Sequence, residues 1–230
     1  MGQISYAATL MARVTLTFDN GPEPLVTHDV LDTLAQREIK TTFFVIGEKL
    51  ATPEGRETVE RARDEGHWIA NHSYTHARSL GDMDSPTAFD DEVTRTQTLL
   101  GDLAHPDRLF RPFCNAGVID ERVFKRAHVA RLEEGAYTCV MFDTVVQDWE
   151  DADGWVERAL AAPSQRPWTT LILHDIMGYP PGKIVNGMQH LDRFLGLLDA
   201  AGHDVVQELD PRSTPIVRGE CVGPVAHLCN

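Results

Sequence analysis

Five short polar clusters in this 230-residue chain carry side chains that could do chemistry, and each follows an apolar, strand-like run. Together they offer a carboxylate, a pair of histidines, an arginine, a second carboxylate and a further histidine. These groups are the parts of a metal-assisted hydrolase, in which a cation and an acid–base pair act on one bond. In chain order the clusters occupy residues 17–22, 72–76, 111–112, 148–149 and 173–175.

The spacing of His72 and His76 favours a shared metal ion. Residues four apart on a helix or helical turn project from one face, and neutral imidazole is a good ligand for zinc and its neighbours. A chain with ten histidines also produces this spacing by chance. The pair alone therefore leaves both interpretations open.

Asp19 and Asn20 end an apolar run and enter a turn made by Gly21 and Pro22. Adjacent residues at a strand end point in different directions, so one side chain could face a metal while the other faces a reacting water. Asn-Gly is also a common turn former with no chemical role. Taken by itself, this cluster favours the plain turn.

The other three clusters are ambiguous when they are taken one at a time. Arg111 could form a structural ion pair, Asp148 could be an ordinary surface acid, and His174 could be a core histidine satisfied by its neighbours. Their interpretation depends on where the fold places them.

The elements that would position these residues alternate along the chain. Seven apolar, β-branched or aromatic runs predict buried strands, and stretches of helical periodicity separate them. This order predicts parallel βα units, and hence an α/β sheet or closed barrel. The predicted strands are residues 14–18, 41–46, 68–71, 109–111, 138–142, 170–173 and 205–209. The predicted helices are residues 27–37, 58–65, 85–100, 118–129, 153–161 and 185–201.

Each polar cluster falls at or soon after the end of a predicted strand. Asp19, His72, Arg111, Asp148 and His174 follow the first, third, fourth, fifth and sixth strands. Chemistry in barrels of parallel strands collects at the carboxyl ends of the strands. We therefore expect these residues to meet on one rim, and this coincidence carries more weight than any single cluster.

Charge and hydropathy exclude several classes of partner. The net charge of -14 argues against a nucleic-acid surface or an anionic membrane, since both require basic patches. There is no run of about 18 apolar residues that could span a membrane. Residues 1–12 lack the basic and apolar regions of a secretory signal, so we predict a cytoplasmic protein.

The length and the spread of apolar residues predict one barrel domain at residues 13–209. Residues 1–12 are interpreted as an N-terminal extension, and the Pro/Gly-punctuated residues 210–230 as an irregular C-terminal tail at the surface. Four cysteines do not make a disulfide framework. Cys114 and Cys139 are expected to be small buried hydrophobes, while Cys221 and Cys229 could pair in an exported protein.

In order and spacing the five clusters resemble the motifs of the polysaccharide deacetylase family, the nodulation-type chitooligosaccharide deacetylase domain of carbohydrate esterase family four. The family motifs are Thr-Phe-Asp-Asp-Gly-Pro, His-Ser/Thr-x-x-His, Arg-x-Pro-Tyr/Phe, Asp-Trp and Leu-x-His. Each is short, but five in sequence are specific. The resemblance covers about residues 14–209, and residues 41–47 also resemble the family's second strand.

The resemblance implies a single-domain distorted (β/α) barrel with seven or eight mainly parallel strands. It also implies a metal-dependent hydrolase that removes N-acetyl groups from an acetamido sugar or polysaccharide. Carried over by position, Asn20, His72 and His76 would hold a divalent cation, for which we expect zinc, with cobalt or nickel as alternatives. The expected partner is an N-acetylated carbohydrate substrate.

The same resemblance implies the acid–base roles. Asp19 would take a proton from water, and Arg111 would orient that carboxylate. Asp148 would fix the tautomer of His174, which would protonate the departing amine. A backbone N–H of the third motif, here that of Cys114, would complete the oxyanion site.

Two departures from the family pattern affect this interpretation. Asn20 replaces the family's metal-binding aspartate, and an amide oxygen coordinates a cation without adding negative charge. Residues 111–115 (Arg-Pro-Phe-Cys-Asn) replace Arg-x-Pro-Tyr-Gly, which alters the substrate floor and the oxyanion amide. Two alternatives therefore stay open: a relative that hydrolyses another amide, imide or ester, and a non-catalytic carbohydrate-binding protein.

Overall fold

A computed structural model describes residues 11–178 and 186–230 of the chain. In these ranges a curled, largely parallel sheet forms a distorted barrel, which confirms the predicted fold class. The strands are β1 (Arg13–Asp19), β2 (Thr42–Val45), β3 (Trp68–Asn71), β4 (Leu109–Phe110), β5 (Thr138–Cys139), β6 (Thr144–Val145), β7 (Trp168–His174), β8 (Asp204–Val206), β9 (Ile216–Val217) and β10 (Glu220–Cys221). The α-helices are α1 (Pro24–Gln36), α2 (Gly47–Leu50), α3 (Pro53–Asp64), α4 (Arg95–Leu100), α5 (Arg126–Glu134), α6 (Trp155–Ala161) and α7 (Leu191–Ala200).

The sheet runs in the order β5-β4-β3-β2-β1-β7-β6, and every pair of neighbours in this run is parallel. β8 adds in parallel to the first half of β1, and β9 and β10 add antiparallel beyond β5. Since β5 and β6 belong to one segment, residues 138–145 connect the two ends of the sheet. This connection brings the strand ends around one rim.

Alternation along β1 separates the packing face from the functional face. Val14, Leu16 and Phe18 are fully buried in the main apolar core together with residues of α1 and α7. Side chains of a strand alternate between its two faces, so Thr17 and Asp19 point to the inside of the barrel. The inner face is polar at this end and apolar deeper down, where Phe44 of β2 packs with three other buried residues.

The seven predicted strands are all found, but several predicted helices begin at other residues: α3 begins at Pro53 and not at 58, and α7 begins at Leu191 and not at 185. Two further helices differ more. The helix predicted at 118–129 begins only at Arg126 and continues to Glu134, so its apolar residues before 126 belong to an irregular loop. The helix predicted to open at Ser85 becomes regular only later, with a π-helical turn at Asp90–Thr94 before α4. Part of the last predicted helix, residue 185, lies outside the described residues.

The C-terminal residues are more tightly packed than predicted. Residues 210–230 are largely irregular, yet they supply β9 and β10 and bury Ile216 and Leu228 in a second apolar cluster. A surface position is therefore wrong for these two residues. The proposed domain limits, with the extension at 1–12, stay a prediction.

All four cysteines are free, with Cys139 buried and Cys221 exposed. Cys229 is half-buried and unpaired. Cys114, predicted as a buried hydrophobe, is only partly buried. No helix in the described ranges is both long and apolar enough to traverse a bilayer, and the cytoplasmic location stays a prediction.

Candidate active site

A cavity of about 500 Å³ opens at the carboxyl ends of β1, β3, β4 and β7. Asp19 is the last residue of β1 and is paired in register with His174, the last residue of β7. His72 and Arg111 each come one residue after a strand, β3 and β4. Six of the seven predicted site residues line this cavity: Asp19, Asn20, His72, His76, Arg111 and His174.

Asp19 and Arg111 form a buried ion pair at the floor of this cavity. Arg111 Nη1 donates to Asp19 Oδ1 at 2.6 Å, and their side chains are 0% and 4% exposed. A buried pair of this kind is stable only when its remaining donors and acceptors are also bonded. The pairing leaves Asp19 Oδ2 directed toward the other cavity groups.

Other atoms inside the barrel accept hydrogen bonds from the remaining N–H groups of the Arg111 guanidinium. Its Nε donates to the Val140 carbonyl at 3.0 Å, and Nη1 also donates to Thr17 Oγ1 at 2.9 Å. The guanidinium lies 3.9 Å from the centre of the Phe44 ring, a cation–π contact. These contacts fix the direction from which Arg111 meets Asp19.

Asp148 and His174 form a second pair. Asp148 Oδ1 accepts from His174 Nδ1 at 2.9 Å, and Oδ2 accepts from the His174 backbone N–H at 2.7 Å. Burial acts to lower the pKa of His174, but the Asp148 carboxylate, together with the charges of Asp19 and Asp175, outweighs it and the pKa lies above the ordinary value. Asp148 itself lies behind the ring, and Trp149 packs edge-on against His174 at 4.6 Å between ring centres.

His72 is held as a neutral ring with a defined tautomer. Its Nδ1 lies 2.9 Å from the Arg111 carbonyl oxygen, which can only accept, so Nδ1 carries the proton. Burial lowers the pKa of His72 to about 3, so the ring is neutral at physiological pH. Its Nε2 therefore presents a lone pair, 3.4 Å from Asp19 Oδ2.

His76 lies beside His72, with 4.4 Å between the ring centres. The helical turn expected for residues 72–76 is wrong, because the segment is an irregular loop with left-handed φ at Ser73 (64°) and His76 (51°). Burial lowers the pKa of His76 well below its usual value. The rings are adjacent nonetheless, through loop geometry rather than helical periodicity.

Asn20 has left-handed φ of 72°, and its Oδ1 is buried without a hydrogen-bond partner. An unpartnered buried acceptor beside two neutral imidazoles fits a bound cation, because each group offers a lone pair and no positive charge. Across residues 11–178 and 186–230, no cluster of three or more His, Cys, Asp or Glu side chains is arranged for a metal. A cation here would therefore depend on the amide of Asn20.

Sequence reasoning missed several residues that shape the site. Glu92 holds the 72–76 loop through three hydrogen bonds. Asp175 is buried, accepts from Thr27 Oγ1 at 2.6 Å, and leaves Oδ1 without a partner. A Cβ at Gly21 would overlap the Asp175 carboxyl group, so that carboxyl group packs on the turn after Asn20. The Leu-His-Asp cluster contained a signal for Asp175, while nothing local marked Glu92.

The chain is similar to known proteins over most of its length. The profile of the polysaccharide deacetylase family matches residues 8–133. A chitooligosaccharide deacetylase of Bradyrhizobium sp. (strain ANU 289) is 34% identical over 174 residues, which are 74% of this chain and 73% of that protein.

Solved structures share the fold. The crystal structure of the Bc1960 peptidoglycan N-acetylglucosamine deacetylase matches with a TM-score of 0.70 and 26% identity, over 87% of each chain. A family 4 acetyl xylan esterase from Clostridium thermocellum, in complex with a cobalt ion, matches with a TM-score of 0.66 and 24% identity, over 85% of this chain and 87% of that one. At that identity the second likeness shows the fold alone.

Proposed function

The chain belongs to the polysaccharide deacetylase family, and we propose that it hydrolyses the acetamide group of N-acetylglucosamine units in a carbohydrate with the help of a divalent cation. The supporting observation is the register of β1 with β7. It sets the Asp19 carboxylate beside the His174 imidazole at one cavity, each with its own buried partner.

Asp19 serves as the general base. Arg111 occupies Oδ1, so Oδ2 is the oxygen left to take a proton from the attacking water. The guanidinium has no freedom to turn away, since Thr17 and the Val140 carbonyl also hold it. Arg111 thereby orients the base and supplies a fixed positive charge near the reacting atoms.

His174 serves as the general acid that protonates the departing amine. Asp148 accepts from Nδ1, which leaves Nε2 as the nitrogen that carries a transferable proton into the cavity. The raised pKa keeps a larger fraction of His174 protonated near neutral pH. A base and an acid of separate identity then divide the two proton transfers.

Asn20, His72 and His76 are the residues that would hold the cation. A divalent ion there would supply Lewis-acid polarisation of the acetamide carbonyl. Zinc is the expected ion because two of the three ligands are imidazoles, with cobalt and nickel as alternatives. The neutral Asn20 amide would make the site less anionic than a carboxylate would, which lowers affinity for the ion.

The substrate class follows from the relatives. The similar proteins are named for action on chitooligosaccharides and on peptidoglycan N-acetylglucosamine, so an oligomer of N-acetylglucosamine is the proposed substrate. The complete Asp148–His174 pair supports catalysis over mere sugar binding, because a pure binding site has no use for an oriented acid.

The test is acetate release from a panel of acetylated compounds after the protein is loaded with zinc or cobalt. The panel holds the N-acetylglucosamine tetramer, peptidoglycan fragments, acetylated xylan and simple acetamides, with the fully deacetylated tetramer as a blank. Release from the tetramer or the peptidoglycan fragments is the expected result. Turnover of simple amides alone, or tight tetramer binding without turnover, would contradict the proposal and select one of the alternatives.

A further inference from the structure

The loop that carries His72 and His76 cannot hold its own shape. Residues 72–76 form no helical turn, and two of them adopt left-handed φ, which is strained for residues other than glycine. Such a loop persists only when its surroundings fix it. Its backbone bonds outward to the barrel: the His72 N–H donates to the Val45 carbonyl at 2.9 Å, and the Gly47 N–H donates to the Ser73 carbonyl at 2.9 Å.

The far half of the loop is held by one buried carboxylate and by the Glu48 N–H, which donates to the Tyr74 carbonyl at 3.0 Å. Glu92, which is 6% exposed, accepts through Oε2 from the backbone N–H groups of Tyr74 and Thr75, both at 2.9 Å. Its Oε1 accepts from Thr75 Oγ1 at 2.6 Å. Among the described residues no arginine, lysine or histidine lies within ion-pair distance of Glu92, so loop donors alone satisfy this charge.

A π-helical turn brings this carboxylate to the loop. Asp90–Thr94 is wound more widely than an α-helix, which inserts an extra residue ahead of α4. Val93, the residue after Glu92, accepts through its backbone carbonyl from Asn71 Nδ2 at 2.9 Å. Asn71 Oδ1 in turn accepts from the Ser73 N–H at 3.0 Å. The same turn therefore supports the loop at its beginning and near its end.

We infer that Glu92 is a positioning residue that sets the direction of His76 and so completes the pair of imidazoles. Thr75 directly precedes His76, and two of the three bonds to Glu92 come from Thr75. Without the carboxylate, the backbone N–H groups of Tyr74 and Thr75 would lose their acceptor in a partly buried place, which destabilises this arrangement of the loop. The inference rests on the proposed function, in which the two histidines of this loop hold a divalent cation.

The experiment measures cobalt affinity, by titration of the metal-free protein, in Glu92→Ala, Glu92→Gln and the control Asp91→Asn. Asp91 is the adjacent, exposed acid and accepts only from Thr87 among the described contacts. Outer partners of metal ligands typically change affinity by about 10–100-fold, so Glu92→Ala is expected to weaken cobalt binding by at least about tenfold. Asp91→Asn is expected to bind as the wild type does.

Glu92→Gln is the conservative rescue. Its amide oxygen can accept both backbone N–H groups, and its NH₂ can donate to the Thr75 hydroxyl, so cobalt affinity is expected to stay within about threefold of the wild type. For all variants the steady-state constants for acetate release at saturating cobalt are measured too. Glu92→Ala should lower kcat while KM for the tetramer stays near the wild-type value, since Glu92 does not line the cavity.

A pair at position 75 keeps the test decisive if Glu92→Ala does not fold. Thr75→Val removes the hydroxyl that Glu92 accepts from, and Thr75→Ser retains it. The valine variant should bind cobalt about fivefold more weakly than the serine variant. Equal cobalt affinity in wild type and Glu92→Ala, or in the two Thr75 variants, would overturn the positioning role. A wild-type protein that binds no cobalt would overturn the proposed metal site itself.

Discussion

The two sides of the cavity are built in different ways. On one side, Asp19 and His174 stand on the ends of paired strands, and each meets an oppositely charged partner inside the protein. On the other side, His72 and His76 lie on an irregular loop, and Asn20 follows β1 with left-handed φ. The first side satisfies its own hydrogen bonds, whereas the second presents the Asn20 oxygen and the His72 Nε2 without donors.

This contrast separates two kinds of preorganisation. The acid–base side needs nothing from outside, because Arg111 and Asp148 already fix the geometry and charge of their partners. The acceptor side, formed by Asn20, His72 and His76, has its lone pairs satisfied only when a cation is bound. Disturbing the first side should therefore change the proton transfers and leave cation binding intact, while disturbing the second should weaken cation binding and leave the Asp19–Arg111 and Asp148–His174 pairs intact.

The largest effect is expected from the removal of the general acid. In His174→Asn the amide nitrogen can still donate to Asp148, but the ring nitrogen that faces the cavity is lost. Acetate release should fall by a factor on the order of 10²–10⁴, with cobalt affinity and melting temperature close to wild type. The control is His190→Asn, which breaks a surface His–Asp pair of 3.0 Å and should leave activity unchanged. A His174→Asn variant with wild-type kcat would show that His174 is not the general acid.

The next effect concerns Asp175, which packs on the turn after Asn20. Burial raises the pKa of Asp175 to about 7, so between about pH 4 and pH 7 the folded protein binds more protons than the unfolded chain. Stability should fall as pH rises through this window and level off above it.

The Asp175→Asn variant isolates the contribution of this carboxyl group to the pH dependence of stability. It lacks the ionisable carboxyl group, so its free energy of unfolding should rise relative to wild type over the same window, by an amount on the order of a few kcal/mol. Urea denaturation of both proteins across this range measures the difference, with the exposed Asp153→Asn as a control. Parallel pH profiles for wild type and Asp175→Asn would contradict the assignment.

A smaller effect is expected from Asn20→Asp, which should strengthen cobalt binding. A carboxylate adds negative charge to the acceptor side, so cobalt should bind on the order of tenfold more tightly. Asn115→Asp places the same charge on an exposed residue that lines the same cavity, and should change affinity much less. Equal gains in both variants would show that Asn20 acts through general electrostatics and does not touch the ion.

The smallest effect is expected from pH, on which cobalt affinity should depend very little. Burial lowers the pKa of His72 to about 3 and that of His76 well below the ordinary value. Protons therefore compete little for these rings, and cobalt affinity should change by less than about threefold between about pH 8 and pH 5.5. Isothermal titration at several pH values measures this. A steep loss of affinity around the ordinary histidine pKa would show that the rings are solvated.

The strands and their terminal residues are predictable from the sequence because they depend on local pattern. Near-continuous apolar runs indicate strands buried on both faces, and the polar residue that ends each run marks the rim. Asp19 and His174 could be predicted together for this reason. The two-residue strands β6, β9 and β10 lie outside the predicted strands, whereas β4 and β5, which are equally short, fall within predicted ones.

The parts that the sequence did not reveal depend on contacts between distant segments. A spacing of four residues is the same for a helical turn and for the 72–76 loop, and only tertiary hydrogen bonds, among them those to Glu92 and Val45, decide between them. The apolar residues from 118 to 125 show helical spacing, yet they lie in a loop, where Val123 and Phe124 are buried in the second apolar cluster. Val118 and Lys125 at the two ends of that segment have extended backbone, with ψ of 117° and 154°, so the helix begins only at Arg126.

The most direct test of the central claim is acetate release from the N-acetylglucosamine tetramer by chelator-treated protein, before and after cobalt is added back. We predict no release above background from the metal-free protein and recovery in proportion to bound cobalt, with one ion per chain at the end point. Release at the full rate by protein shown by elemental analysis to hold no metal would contradict the account.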